Sequence, residues 1–311
     1  MKYLVMGAGA MGSIFGGLLM ESGHDVTFVG LDEHLKTIQE KGLKIDGIWG
    51  EHFLETPKAF LGTDGITGTF DVILVSVKSY HTASVMESLP GFMKDDTLVV
   101  SIQNGLGNWE TIAGVLGWDK TIGARIIFGA AIPEPGTARV TVYADKVLLG
   151  SPSGAVPMEK LEMISRDFVA AGIPTGISTE IAAHLWGKVL YNCCLNPLGA
   201  ILNVPYGDLC NTMEIKGIIR GIIQEIFSVA RAKGITLLYA GPDDYYRFLL
   251  EEQLPPTASH RSSMLQDLDM GRPTEINALN GAICAYGRQY GVPTKINSTI
   301  TAIIMGLEFR D

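Results

Sequence analysis

Cysteine is scarce: four in 311 residues, two of them adjacent (Cys193, Cys194), with no C-x-x-C pair. That excludes a disulfide framework and fits a reducing, cytoplasmic compartment. Histidine is also sparse. The six (His24, His34, His52, His81, His184, His260) are scattered without H-x-x-x-H or Cys/His spacing, so no metal site is expected. Basic residues are outnumbered, 24 Lys and Arg against 33 Asp and Glu, for a formal charge of −9. A phosphate backbone would be repelled on average, which argues against nucleic acid as a partner. Long apolar runs are missing with one exception, the uncharged stretch 3–20. Gly7, Gly9, Gly12, Gly16 and Gly17 interrupt it and make it a poor membrane span or signal peptide, so neither is expected.

What remains is a globular composition, 47% apolar, long enough for two domains. The first half alternates between strand-like and helix-like patterns. Strands are expected at Lys2–Met6, Asp25–Val29, Phe70–Val77, Thr97–Ile102 and Thr121–Phe128. Helices are expected at Met11–Ser22, His34–Lys41, Thr82–Leu89, Trp109–Leu116 and Met158–Ala171. Two short strand-like pieces fall within Ala138–Leu149. Such alternation predicts an α/β fold, a parallel sheet covered on both faces. The stretch AGIPTGIST after Phe168–Val169–Ala170 is rich in Gly, Pro and Thr and marks a junction. Beyond it the pattern is helical: Ile181–Leu195, Met213–Lys233, Asp244–Gln253, Met264–Met270, Ile276–Tyr290 and Ser298–Phe309. The expected domains are therefore residues 1–176, binding a dinucleotide, and an all-α domain, residues 177–311, for substrate and catalysis.

Gly7-Ala8-Gly9-Ala10-Met11-Gly12 follows a strand and opens a helix. In that context G-x-G-x-x-G has a physical meaning. Gly7 permits a tight turn, Gly9 lets backbone approach a pyrophosphate, and Gly12 lets the helix pack close to the sheet. The helix N-terminus offers amide donors and partial positive charge to the phosphates. Asp32, just past the second strand, is placed to accept from the ribose hydroxyls of NAD, or it caps the following helix. No arginine ends that strand to meet a 2′-phosphate, so NAD is favoured over NADP.

The segment Ile181–Leu195 is apolar nearly all round, so it should be buried. Yet Lys188, Asn192 and Asn196 sit at i, i+4 and i+8 and form a single polar stripe. Either the stripe is exposed, or it lines a cleft for a polar ligand. In the second case a desolvated Lys188 is a credible proton donor. Ser263-Met264-Leu265-Gln266 has the S-x-x-Q form of a capping box, marking a helix start that suits an anion. Glu275 falls in the first turn of another helix. Cys193 and Cys194 lie mid-helix among apolar residues, where a thiol is usually inert.

Taken together these motifs resemble the ketopantoate reductase (2-dehydropantoate 2-reductase) family. The resemblance runs through the Gly7–Gly12 loop, Val77-Lys78, Gln103-Asn104-Gly105, Trp186-Gly-Lys188…Asn192…Asn196-Pro197 and Ser262-Ser263-Met-Leu-Gln-Asp267…Thr274-Glu275-Ile. It implies a Rossmann-like N-terminal domain, a helical C-terminal domain and an active site between them. By matched position it implies Lys188 as proton donor, with Glu275 as a second catalytic group on the nicotinamide side. The cofactor would be held by Gly7, Ala8, Gly9, Ala10, Met11, Gly12, Leu31, Asp32, Val77, Lys78, Gln103, Asn104, Gly129 and Glu275. The substrate would be held by Asn104, Lys188, Asn192, Asn196 and the segment Ser263, Met264, Leu265, Gln266. Two departures stand out. Leu31 occupies the position where many members carry an arginine for NADP, and Tyr206 falls where some place a substrate-binding asparagine, which would reshape the pocket.

The implied reaction is NAD(P)H-dependent reduction of ketopantoate to (R)-pantoate in pantothenate biosynthesis. NAD-linked D-2-hydroxyacid (mandelate-type) dehydrogenases acting on bulkier 2-keto acids are the alternative enzymes. A non-catalytic nucleotide sensor would keep the glycine loop but would not need Lys188 or Glu275. The helical half also allows a homodimer, with the Ile-rich segment Met213–Lys233 either at its contact or in internal core.

Overall fold

The computed structural model describes residues 1–309. The chain divides into two compact units: Met1–Gln103 with Asn108–Ile181, and Asn104–Gly107 with the chain from Ala182 onward.

The first unit runs β1 (Lys2–Met6), α1 (Ala10–Glu21), β2 (Asp25–Gly30), α2 (Glu33–Lys41), β3 (Leu43–Gly47), β4 (His52–Leu54) and β5 (Lys58–Leu61). It continues through β6 (Phe70–Val75), α3 (Thr82–Ser88), β7 (Met93–Ser101), α4 (Asn108–Leu116), β8 (Thr121–Glu134), β9 (Thr137–Gly150), α5 (Met158–Ala170) and β10 (Thr175–Ile177). All ten strands join one sheet in the order β4-β3-β9-β8-β7-β6-β1-β2-β5, with β10 on β9. Only β3–β4 and β8–β9 pair antiparallel. The central strands read as apolar runs because both faces are covered. Tyr3 and Val5 of β1 face a core with Phe15, Leu18 and Phe168, while Leu4 and Met6 face one with Ile73, Met86 and Ile112. The uncharged stretch 3–20 is thus consumed by β1 and α1. Among the described residues no helix is long and apolar enough to cross a membrane.

Four strands, β3 to β5 and β10, have no counterpart in the sequence expectation. They are three to five residues long, too short for a period of two to declare itself. The two pieces expected within Ala138–Leu149 are one 14-residue strand, β9. Its pairing with β8 shifts register repeatedly, which breaks the alternation by which one strand would be recognised. A cut after residue 176 falls inside β10, whose pairing with β9 keeps that turn on the sheet.

The second unit holds α6 (Ile181–Leu202), α7 (Met213–Lys233), α8 (Pro242–Phe248), α9 (Ser263–Asp269), α10 (Asn280–Tyr290) and α11 (Lys295–Leu307). Helix α6 does not stop at Leu195 but runs on through Pro197. The Ile-rich stripe of α7 is internal core, with Ile219, Ile222, Ile223 and Ile226 all fully buried. Helix α8 passes into a π turn over Leu249–Gln253. In place of one helix from Ile276, a 3₁₀ turn (Ile276–Ala278) breaks at Leu279 before α10. The reason is a contact with a segment distant in sequence. The Ala278 carbonyl accepts from Leu106 N at 2.7 Å, which takes it out of the helical ladder. Gly105, at φ +84°, makes that approach possible, since a Cβ there would lie 2.6 Å from Ala278 O. Helix α11 starts earlier than expected because Glu225 of α7 accepts from Ile296 N and Asn297 N at 2.9 and 3.0 Å.

Candidate active site

In the first unit the relevant geometry gathers at the carboxyl ends of β1, β6 and β7. Strand β1 lies between β2 and β6, so the chain leaves it first to one side and later returns on the other. That switch point is where an open α/β sheet leaves a crevice for ligands. Gly7, at φ +105°, packs so tightly that a Cβ would sit 2.6 Å from Val77 N. A Cβ at Gly12 would sit 2.2 Å from Gly7 O and 2.6 Å from Ser76 Oγ. At Gly9, by contrast, a Cβ would meet nothing within 4 Å. Gly9 is also the N-cap of α1 and places no side chain over the first-turn amides. Tight glycines on either side of an open one, at an uncapped helix start, form a cradle that fits a pyrophosphate.

Hydrogen bonds tie this loop to its neighbours. Ser76 Oγ donates to Gly7 O at 2.7 Å, and Gln103 Nε2 donates to Val77 O and to Thr82 Oγ1, both at 2.8 Å. Lys78 immediately precedes the 3₁₀ turn Ser79–His81 that follows β6. Gly129 lies within β8, paired with Val142, and none of these bonds reaches it. Leu31 is 81% exposed. Asp32 is the N-cap of α2, its Oδ1 accepting from Leu35 N at 3.1 Å, so the capping role is real.

In the second unit, α6 is buried nearly all round and its polar stripe points inward. Lys188 Nζ donates to Asn104 Oδ1 at 2.6 Å. Asn104, Asn192, Asn196, Ser263, Met264, Asp267, Glu275 and Leu279 line one concavity of about 260 Å³, mouth included. The lining is dominated by amides, a hydroxyl and two carboxyls, which suits a small polar ligand rather than a large apolar one. Asn196 is itself buried, and its Oδ1 accepts from the hydroxyl of Tyr206. Burial pushes the Tyr206 phenol well above its ordinary range, so it stays a donor. Tyr206 is 2% exposed and lies behind Asn196, off the pocket wall, so it acts on the pocket through that amide rather than by filling it.

The capping expectation at Ser263 is one residue out. Ser262 has the extended backbone (φ −60°, ψ 147°) and accepts from Leu265 N at 3.0 Å, while Ser263 is already helical. The shift frees the Ser263 side chain from the cap and leaves it on the pocket wall. Leu265 is buried, and Gln266 is exposed with Nε2 on Arg261 O; neither lines the pocket. Asp267 and Leu279 do, and neither was expected. Asp267 is four residues beyond Ser263, hence on the same face of α9, and that spacing was the available clue. Leu279 sits at a helix break that no pattern announces.

Comparison with known proteins decides the family. The model described as ketopantoate reductase PanE/ApbA matches residues 3–154, and the one described as its C terminal matches residues 180–308. The chain belongs to the ketopantoate reductase PanE/ApbA family. The 2-dehydropantoate 2-reductase of Aquifex aeolicus is 38% identical over 309 residues, covering 99% of this chain and 97% of that protein. That of Pyrococcus horikoshii is 32% identical over 308 residues, covering 99% and 98%. Among solved structures, the 2-dehydropantoate 2-reductase from Geobacter metallireducens superimposes with a TM-score of 0.89 at 28% identity, covering 98% of this chain and 99% of that one. A D-mandelate dehydrogenase bound to NADH and anilino(oxo)acetate superimposes with a TM-score of 0.87 at 26% identity, covering 99% and 98%. Members of the ketopantoate reductase family share both units, so the α/β sheet and the helical unit each have a counterpart in the relatives.

Proposed function

We propose that this chain reduces 2-dehydropantoate to (R)-pantoate, with NAD(P)H as the reductant and Lys188 as the proton donor. The observation that carries the reading is the Lys188–Asn104 contact beside a pocket lined by Asn192, Asn196, Ser263 and Glu275. When bound, the dihydronicotinamide supplies the hydride. The chain's own groups supply the rest. An ammonium held by Asn104 is positioned to stabilise negative charge growing on the keto oxygen and then to give up a proton to it. Asn196, with Oδ1 engaged by Tyr206, offers its Nδ2 donors to the pocket, which suits a keto or carboxylate oxygen. Asn192, Asn104 and Ser263 add polar partners for a carboxylate, and Glu275 contributes a second acid-base group. Gly7 to Gly12 with Val77, Lys78, Gln103 and Gly129 would hold the cofactor, and Asp32 would meet its ribose with the oxygen not engaged in the cap.

NAD is the favoured cofactor. Leu31, exposed and apolar, offers nothing to a 2′-phosphate, and the related D-mandelate dehydrogenase carries NADH. That relative also supports a second reading, NAD-dependent reduction of a bulkier 2-keto acid. The predominantly polar lining, with no aromatic side chain, favours the aliphatic substrate. Steady-state kinetics with ketopantoate and benzoylformate, each with NADH and NADPH, test both points. Ketopantoate with NADH should give the highest kcat/KM; a preference for benzoylformate would replace the substrate, and a preference for NADPH would replace the cofactor. A cytoplasmic homodimer completes the proposal, and light scattering on the purified protein checks the assembly.

A further inference from the structure

Pro197 lies inside α6 and has no N–H, so the carbonyl four residues earlier, that of Cys193, lacks its helical donor. Cys193 is fully buried, which closes off solvent as a substitute. The donor comes from another helix. Asn280, the first residue of α10 and itself fully buried, donates from Nδ2 to Cys193 O at 3.1 Å. The second Nδ2 hydrogen goes to Asn297 Oδ1 at 3.0 Å. Asn297 is fixed in turn by Glu225, which accepts from its Nδ2 at 2.7 Å. The Oδ1 of Asn280 has no hydrogen-bond partner among the described residues. A buried amide kept with one end unsatisfied is kept for the other end, its donors.

The rung that Pro197 removes belongs to the turn of α6 that carries Asn192 and Asn196. Asn192 immediately precedes Cys193, and Asn196 immediately precedes Pro197. Both line the pocket, whereas Asn280 does not. We infer that Asn280 is a positioning residue that replaces the backbone donor missing at Pro197 and thereby sets where Asn192 and Asn196 meet the keto acid. This rests on the proposed assignment of those two amides to the substrate. Without the Asn280 donor, the buried Cys193 carbonyl must turn to find another, and the amides on either side of it move with the turn.

The test is a double-mutant cycle on the full chain. Asn280→Ala should raise KM for ketopantoate about tenfold while KM for the cofactor stays within about twofold. Pro197→Ala returns an N–H to the ladder, so adding Asn280→Ala in that background should change KM for ketopantoate by less than about twofold. Calorimetric binding of pantoate should follow the same pattern. The bond to Asn297 is lost in both backgrounds, so Tm falls in both and does not discriminate. Equal KM penalties with and without Pro197, or a lowered Tm with unchanged KM, would overturn the inference. If Asn280→Ala alone does not fold, recovery of folded protein in the double variant supports it, and loss of both overturns it. A wild-type protein that reduces no keto acid would remove the proposed function and this inference together. Turnover with multiplying penalties would remove this inference alone.

Discussion

The ammonium of Lys188 donates to the side-chain carbonyl of Asn104 across 2.6 Å, tying α6 to the short segment Asn104–Gly107. A charge-assisted bond of that length restricts a side chain that would otherwise lose entropy on use. Lys188→Ala should therefore lower kcat by roughly 10²- to 10⁴-fold, the usual range for a lost general acid. NADH binding, followed by fluorescence, should persist. Asn104→Ala should cost less in kcat, because the ammonium survives and only its placement suffers. Near wild-type turnover in Lys188→Ala would end the assignment.

Tyr206 reaches the pocket only through Asn196. Tyr206→Phe keeps the ring packed against His260 and Tyr191 and removes only the hydroxyl. The buried amide then loses the partner that fixes which end faces the pocket, a loss worth about 1–2 kcal/mol. KM for the keto acid should rise about five- to thirtyfold at constant cofactor KM. Unchanged keto acid KM would mean that Asn196 is oriented by the helix alone.

The three glycines of the cofactor loop should separate cleanly in experiment. Gly9→Ala adds a methyl where nothing lies within 4 Å and at an ordinary φ of −76°, so Tm should hold. The same methyl occupies the space a pyrophosphate needs, so cofactor KM should rise on the order of tenfold or more. Gly12→Ala drives a methyl against Gly7 O and Ser76 Oγ, an overpacking that should cost about 1–3 kcal/mol of stability. Thermal melts beside cofactor titrations read both effects. A cofactor KM that Gly9→Ala leaves unmoved would place the phosphates elsewhere.

Much of this architecture is written in local pattern. The helices of the first unit start and stop near their Gly and Asp markers, as with Asp32 before α2 and Gly42 after it. The stripe Lys188, Asn192, Asn196 is legible because a polar row on an otherwise buried helix has few explanations. What is not legible depends on distant partners. The break at Leu279 follows from a bond between Ala278 and Leu106, and the early start of α11 follows from Glu225. Neither leaves a trace in nearby residues. The run of α6 through Pro197 is hidden for the same reason, since the residue that rescues it is Asn280. The cap at Ser262 is not legible because the S-x-x-Q spacing points to its neighbour Ser263, and only the backbone chooses between the two serines.

Acid should act on the glycine loop through His34. This ring is 3% exposed, and Gly136 N donates to its Nδ1 at 3.0 Å, so the imidazole proton sits on Nε2. Nε2 then faces Ser13 Oγ at 3.0 Å, and Ser13 Oγ in turn donates to Ala8 O at 3.2 Å. Burial lowers the His34 pKa below its usual 6.5, with Asp32 opposing the shift. The folded state thus binds a proton less readily than the unfolded one, so stability rises with pH through the window between the two values. It is fully present above about 6.5, is lost as pH falls toward the lowered folded value, and falls no further below that. His34→Gln should cost about 1 kcal/mol at pH 7.5 through poorer hydrogen bonding. It should also lose less Tm than the wild type on going to pH 5.5, because no imidazole titrates there. His260, also lowered by burial, is present in both proteins and cancels in the comparison. Parallel acid slopes for the two proteins would show that His34 does not titrate in this range.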